Sequence, residues 1–388
     1  MSIKNFKNYF SVEFFYALLL TSGFIKFYII HFDILFFDIS ILLSFILLIF
    51  FFNKLVKKNF RIYLSQDVKI GFFLIIFFYL FILLSLIYSQ SNYYKYEKLV
   101  SFSLSCLLYF FPLVYSGFNL NKFLDSFLKI SILIISLYHL VNFLDYDRNY
   151  NTTYLKTAYL SGLNLLLYIF IYNKKNMLIS FYFLFSLLIT GSRGALVSFI
   201  LISFIGFKKI YINFIINIFI KLKLIFFLLI LFLVVFLYYD EIFLLFQRTI
   251  ARSLILYEFD LNSPNFKTRF MHINIVFENL KDFIFFGVGF GGYGISFLDD
   301  DSRRYPHNIF LEILIELGII GIIFYLLFVI YNFYILFKYK PNICYILLYL
   351  LIAAQFSGTF AEMRLFYGFL AIGLLASQRI KKYDKLAK

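Results

Sequence analysis

The chain has 388 residues, of which 63% are hydrophobic and 15% charged, and its mean hydropathy is +0.88. A soluble domain carries about 45–50% apolar and about 25% charged residues, so the composition excludes a water-solvated globular fold and makes a lipid bilayer the solvent for most of the chain. The formal charge is +15, but the lysines fall in short clusters between apolar runs. That is the pattern of a polytopic membrane protein, and no nucleic-acid partner is expected from it.

A membrane span needs about 20 mainly apolar residues. Read against that length, the chain offers spans near 10–30, 34–52, 70–89, 99–116, 123–143, 157–172, 176–190, 194–207, 222–239, 308–337, 342–360 and 363–378. The expected fold class is therefore an all-α polytopic membrane protein of about 12 helices, a single membrane domain over 1–388. One long polar segment, 240–306, interrupts it before the last three spans. Cys106 and Cys344 both lie inside apolar runs, which points away from a disulfide and from a metal site.

Placing the N-terminus with Lys4 and Lys7 in the cytoplasm tests the count, because cytoplasmic loops carry the excess of Lys and Arg. Alternation then puts Lys54, Lys57, Lys58, Lys174, Lys175, Lys208, Lys209, Lys338 and the C-terminal cluster ending at Lys388 on the same side. Both termini are expected inside. The turn at Ser192-Arg193, the segment 240–306 and His307 are expected together on the outer face.

Three motifs lie there. In Thr190-Gly191-Ser192-Arg193-Gly194-Ala195, an arginine stands between two apolar runs with glycines on either side. Its planar fork suits a phosphate and the glycines permit close approach; the alternative is an arginine snorkelling to the headgroups. In Pro306-His307-Asn308, proline marks the first turn of a helix, so His307 would sit where water gives way to membrane and serve as a general base or donate to a developing charge; the alternative is a plain interfacial histidine. Glu312 and Glu316 follow on one helical face, either orienting the histidine or a substrate hydroxyl or lining a hydrated interior. Gly287-Val288-Gly289-Phe290-Gly291-Gly292-Tyr293-Gly294 matches a dinucleotide fingerprint in form only, since no strand precedes it; it reads as a flexible turn closing the long loop, or as a backbone nest for phosphate. Arg269 precedes a run, 271–286, expected to form an amphipathic helix, and it is either a second outer cation that helps clamp a pyrophosphate or a solvated loop charge.

These motifs, in this order and spacing across about 185–330, resemble the O-antigen ligase family, which also takes in O-antigen polymerases. The resemblance implies a glycosyltransferase of the bacterial inner membrane with a periplasmic active face and no metal or other cofactor. Such an enzyme takes a glycan from an undecaprenyl-diphosphate carrier and passes it to lipid A-core oligosaccharide, or, in the polymerases, to another lipid-linked repeat unit. Carried over by motif, Arg193 and Arg269 would bind the diphosphate and His307 would be the catalytic residue that deprotonates, or positions, the acceptor hydroxyl, with Ser192, Asn308, Glu312 and Glu316 in support. The Trp common after the Arg269 position in the family is absent here. A non-enzymatic flippase for lipid-linked glycans is the rival class, but the charges gather at one face rather than deep within the spans.

Overall fold

The computed structural model describes residues 11–31, 38–57, 64–115, 117–144, 153–172, 177–206 and 264–386. Every regular element among them is helical: α1 (Val12–His31), α2 (Ile39–Lys57), α3 (Gln66–Ser85), α4 (Tyr94–Val114), α5 (Leu120–Leu144), α6 (Thr153–Phe170), α7 (Met177–Ile189), α8 (Arg193–Gly206), α9 (Pro264–Phe283), α10 (Tyr293–Leu298), α11 (Ile309–Tyr339), α12 (Pro341–Ser357) and α13 (Arg364–Leu386), with a 3-10 turn at Phe360–Glu362. Long runs of Leu, Ile and Phe form helices away from water because a helix pairs its backbone N–H and C=O groups within the segment. Helices α2, α3, α4 and α11, together with Leu120–Val141 of α5, are long and apolar enough to cross a membrane; α7, α8 and most of α12 are shorter apolar helices. The span expected near 222–239, and the start of the long segment at 240–263, lie outside the described residues. Each other expected span coincides with a helix.

Helices α2 and α3 turn large apolar side chains outward. Phe45, Phe52, Phe73 and Phe77 are each more than half exposed. A contiguous apolar surface of this kind is stable against lipid and not against water. The chain is a membrane protein.

The described residues divide into two compact units. In the unit formed by 138–263, α6 packs against α7 and α8 around Ala158, Leu187 and Ala195. A chain of buried hydroxyls runs through it. Ser161 Oγ donates to the Thr157 carbonyl (2.8 Å), and the Ser186 hydroxyl lies 2.9 Å from both Ser161 Oγ and His139 Nε2. Polar side chains inside apolar helices need such partners, and local back-bonding provides them.

In the unit formed by 1–137 and 264–388, α4 packs along α13, α3 along α11 and α1 along α2. Its centre is aromatic: the Phe78 ring meets Phe102, Tyr325 and Phe360 at centroid distances of 5.6–6.1 Å. The element that positions everything else is a break in α11. Gly318 has φ 66° and ψ −169°, so two helices meet there rather than one running through. The break frees backbone groups that must find other partners. The Gly-rich turn supplies them: Val288 N–H donates to the Ile315 carbonyl and Gly289 N–H to the Glu316 carbonyl, both at 2.9 Å, while Ile319 N–H donates to the Ile284 carbonyl at 2.8 Å. The run expected to be a flexible turn is thus a buried plug locked into a broken helix. Its N–H groups, at Val288 and Gly289, are spent on protein carbonyls.

A Cβ at Gly318 would fall 2.2 Å from the Phe285 carbonyl oxygen, in a backbone region that L side chains rarely adopt. Gly318→Ala should therefore lose on the order of 2 kcal/mol or more, from left-handed strain plus the clash. A thermal-stability measurement of the detergent-solubilised protein by size-exclusion should show a lower midpoint; an unchanged midpoint would remove the break as a structural requirement.

Candidate active site

Residues 264–317 fold over the start of α11 and bring together the groups that carry chemistry. Asn308 caps α11: its Oδ1 accepts from Phe310 N–H (3.0 Å) and Leu311 N–H (3.1 Å), satisfying donors that a helix start leaves open. His307, the residue before this cap, has φ 57°. A non-glycine residue in the left-handed region is strained, and such strain persists only where the surroundings over-determine it. Here Pro306 is buried and two rings flank the imidazole, Tyr305 at 4.6 Å and His272 at 5.8 Å between centroids.

His272 comes from α9, three residues after Arg269. It is 5% exposed, and its Nδ1 lies 2.6 Å from the hydroxyl of Tyr293, itself fully buried on α10. Arg303 pairs with Glu362 and lies over the Tyr305 ring at 5.9 Å. Arg304 pairs with Asp300 at 2.8 Å. Arg269 is exposed and makes no ion pair among the described residues. Burial, then His272, Arg269 and Arg303, push the His307 imidazole down to about 4. Burial and Arg304 lower His272 as well. Both rings are neutral at ordinary pH, in a setting that is rich in cations and short of anions.

The loop is anchored by Asp301, whose carboxylate accepts from Asn92 N–H (2.7 Å) and Tyr93 N–H (2.9 Å) at the start of α4. Beneath it lies a buried ion triad. Lys98 Nζ of α4 is 2.6 Å from Glu312 Oε1 and 2.6 Å from Glu316 Oε2, and all three side chains are at most 1% exposed. Further donors reach both carboxylates. Glu312 accepts from Thr359 Oγ1 (2.6 Å) and Phe360 N–H (3.0 Å), and Glu316 from Gly291 N–H (2.9 Å). The Phe290 and Phe360 rings lie 5.2 and 5.1 Å from the ammonium. Glu312 and Glu316 thus face into the protein below the cap, tying α4, the Gly-rich turn and the turn before α13 to the first half of α11.

Arg193 and Ser192 belong to the other unit. Arg193 is the first residue of α8, following Gly191 at φ 60°, and the buried Ser192 Oγ makes no hydrogen bond among the described residues. Sequence reasoning singled out His307, Asn308, Arg269 and the two glutamates, but not His272, Tyr293 or Lys98. The spacing of His272 from Arg269 (i, i+3 on one helical face) was the available signal for the first. Two glutamates at i, i+4 in an apolar helix demand a buried cation, and Lys98, at the edge of an apolar run, was available to supply it.

The fold and site together define a polytopic α-helical membrane protein with a basic, histidine-bearing centre built on a broken helix. Residues 178–326, which contain Arg193, Arg269, His272, His307 and both glutamates, match the model of the O-antigen ligase family. That stretch is similar to the family, and it takes in 149 of the 388 residues. No curated protein matches it.

Removing the cation from the triad strands two buried carboxylates, and breaking such a network costs about 3–5 kcal/mol. Lys98→Met should sharply lower the melting midpoint and the yield of folded protein. The paired variant Lys98→Met/Glu316→Gln should recover part of that loss, and a melt of both variants checks it.

Proposed function

We propose that the protein is a glycosyltransferase of the O-antigen ligase type, acting at the periplasmic face of the bacterial inner membrane. It transfers a glycan from undecaprenyl diphosphate to lipid A-core oligosaccharide. The observation that carries this reading is the strained, ring-clamped His307 at the cap of α11, beside Arg269 and Arg303. The family match supports the reaction class.

The chemistry needs a proton acceptor and a means of holding a departing anion. The acceptor hydroxyl attacks the anomeric carbon, its oxygen forms the new glycosidic bond, and His307 takes the proton. The bond to the diphosphate oxygen breaks, and the lipid diphosphate leaves with the electron pair. Cations placed where that charge develops lower the barrier, and a positioned base contributes typically about 10²–10⁴-fold. In this reading Arg269 meets the diphosphate, and Arg193 does so on the strength of its Ser-Arg-Gly motif. Attack opposite the leaving group inverts the anomeric centre. No step requires a metal.

Burial, with Arg269 and Arg303 adding to it, holds His307 neutral and makes it a weak base, and an anion beside it would offset the arginines' share. The bound diphosphate does this, so the histidine gains basicity when the donor is in place. The sign follows from a lowered pKa: His307 is deprotonated above about 4 in the free enzyme and loses its base function only below that. The acid limb of kcat/KM should then fall near 4 rather than near the ordinary histidine value, and the limb of kcat should fall at higher pH. A pH–rate profile in which both limbs coincide near 6.5 would contradict this.

Complementation in a strain lacking its own ligase tests the reaction itself. Wild type should restore the glycan ladder attached to lipid A-core on a gel, and His307→Ala and Arg193→Ala should fail by at least about 10²-fold while still inserted in the membrane. Restoration of chain length without attachment would instead identify a polymerase that joins lipid-linked repeat units.

A further inference from the structure

One group next to His307 has no part in the reaction as drawn, and its surroundings are too specific for a filler. Tyr293 is fully buried and packs with Val276 and Ile315 in an apolar cluster with Ile275, Phe297 and Leu311 around it. A buried phenol needs a hydrogen-bond partner, and the Tyr293 hydroxyl lies 2.6 Å from His272 Nδ1. Burial raises the phenol well above its ordinary range, so the oxygen keeps its proton. The arrangement that satisfies both groups has the tyrosine O–H donating to an unprotonated Nδ1, which leaves the ring proton of neutral His272 on Nε2. The imidazole is thereby fixed in one tautomer and one rotation. Its ring then meets His307 at 5.8 Å and 65° between planes, opposite in role to Tyr305, which meets the same ring at 4.6 Å and 58°.

We propose that His272, locked by Tyr293, is a positioning residue for His307: the hydrogen-bonded pair sets the ring orientation from which His307 takes the acceptor proton. This rests on the assignment of His307 as the base. It explains why a histidine rather than an apolar residue occupies this buried face of α9. A phenylalanine would fill the space but leave the Tyr293 hydroxyl without its partner, and nothing would then fix the rotation of the ring beside His307. The lever is geometric, since a misplacement of about 1 Å can lower turnover by about 10²-fold.

The test uses purified full-length protein in lipid nanodiscs, a synthetic polyprenyl-diphosphate oligosaccharide as donor and isolated lipid A-core as acceptor. Rates are expressed per folded molecule, so that a stability loss does not imitate a catalytic one. Tyr293→Phe deletes one oxygen atom, and His272→Phe keeps a ring without the hydrogen bond. Both should lower kcat by about 10–100-fold with the donor KM within about twofold. His272→Asn retains a polar atom near the Nδ1 position and should recover at least about tenfold over His272→Phe. His307→Ala is measured alongside. If it is inactive while Tyr293→Phe and His272→Phe turn over within about twofold of wild type, the positioning role is wrong and the base assignment survives. If His307→Ala is as active as wild type, the base assignment fails and the role of His272 falls with it.

Discussion

Two carboxylates buried in one helix have to be neutralised, and much of the outer-loop architecture follows from how that is done. Glu312 and Glu316 share Lys98 at 2.6 Å, and each also accepts from a group in another part of the chain. A hydrophobic triplet of the same volume would be as stable or more so, because desolvation offsets most of the Coulomb attraction. What the ionic version adds is direction. Leucines in these places would accept many packings, whereas a carboxylate that accepts from Gly291 N–H at 2.9 Å accepts only one position of the Gly-rich turn. The turn is therefore fixed against α11, and with it the short helix carrying Tyr293.

The broken helix is the other half of the same device. Ile319–Tyr339 alone reaches the length needed to cross the hydrocarbon, about 20 residues. The piece from Ile309 to Leu317 is not needed for the crossing, and it is this piece that holds the cap, the glutamates and the backbone pairing with the Gly-rich turn. A continuous helix would have paired the Ile315 and Glu316 carbonyls internally and left the Val288 and Gly289 N–H groups without these acceptors. Breaking it at Gly318 converts a membrane span into a span plus a platform, at the expense of one residue in a conformation only glycine accepts readily.

How much of this the sequence disclosed depends on the range of the interaction. Hydropathy runs place the helices because each run is a local property, whereas Pro306 suggests a first helical turn and the structure begins α11 after it, with Asn308 as the cap. The family motifs led to His307 and Arg269 for the same reason. Lys98 stands 218 residues from Glu316, and a lysine at the edge of an apolar run looks the same whether it snorkels to water or turns inward. The Gly-rich run is a comparable case. Its composition correctly signals positive φ, found at Gly287, Gly289 and Gly291. Composition does not say whether glycine is there for mobility or for close approach, and the Cβ that would fall 2.5 Å from the Ser89 Cα shows that at Gly289 it is approach.

The electrostatics of the site follow from the same economy of anions. Near His307, Glu362 engages Arg303 and Asp300 engages Arg304, while Asp301 is consumed in capping α4. Arg269 keeps its charge exposed. A resident carboxylate beside His307 would have raised its basicity permanently and would also have repelled an anionic substrate. In the proposed reaction, leaving that place to the substrate would couple the two, because the charge that neutralises the arginines would be the charge held as the bond breaks. Neutral neighbours suit this arrangement, and His272, kept uncharged by burial and Arg304 and hydrogen-bonded to Tyr293, can brace the His307 ring without adding a cation of its own. A lysine or arginine in its place would deepen the positive field and weaken the base further. An aspartate would compete with the diphosphate of the proposed donor.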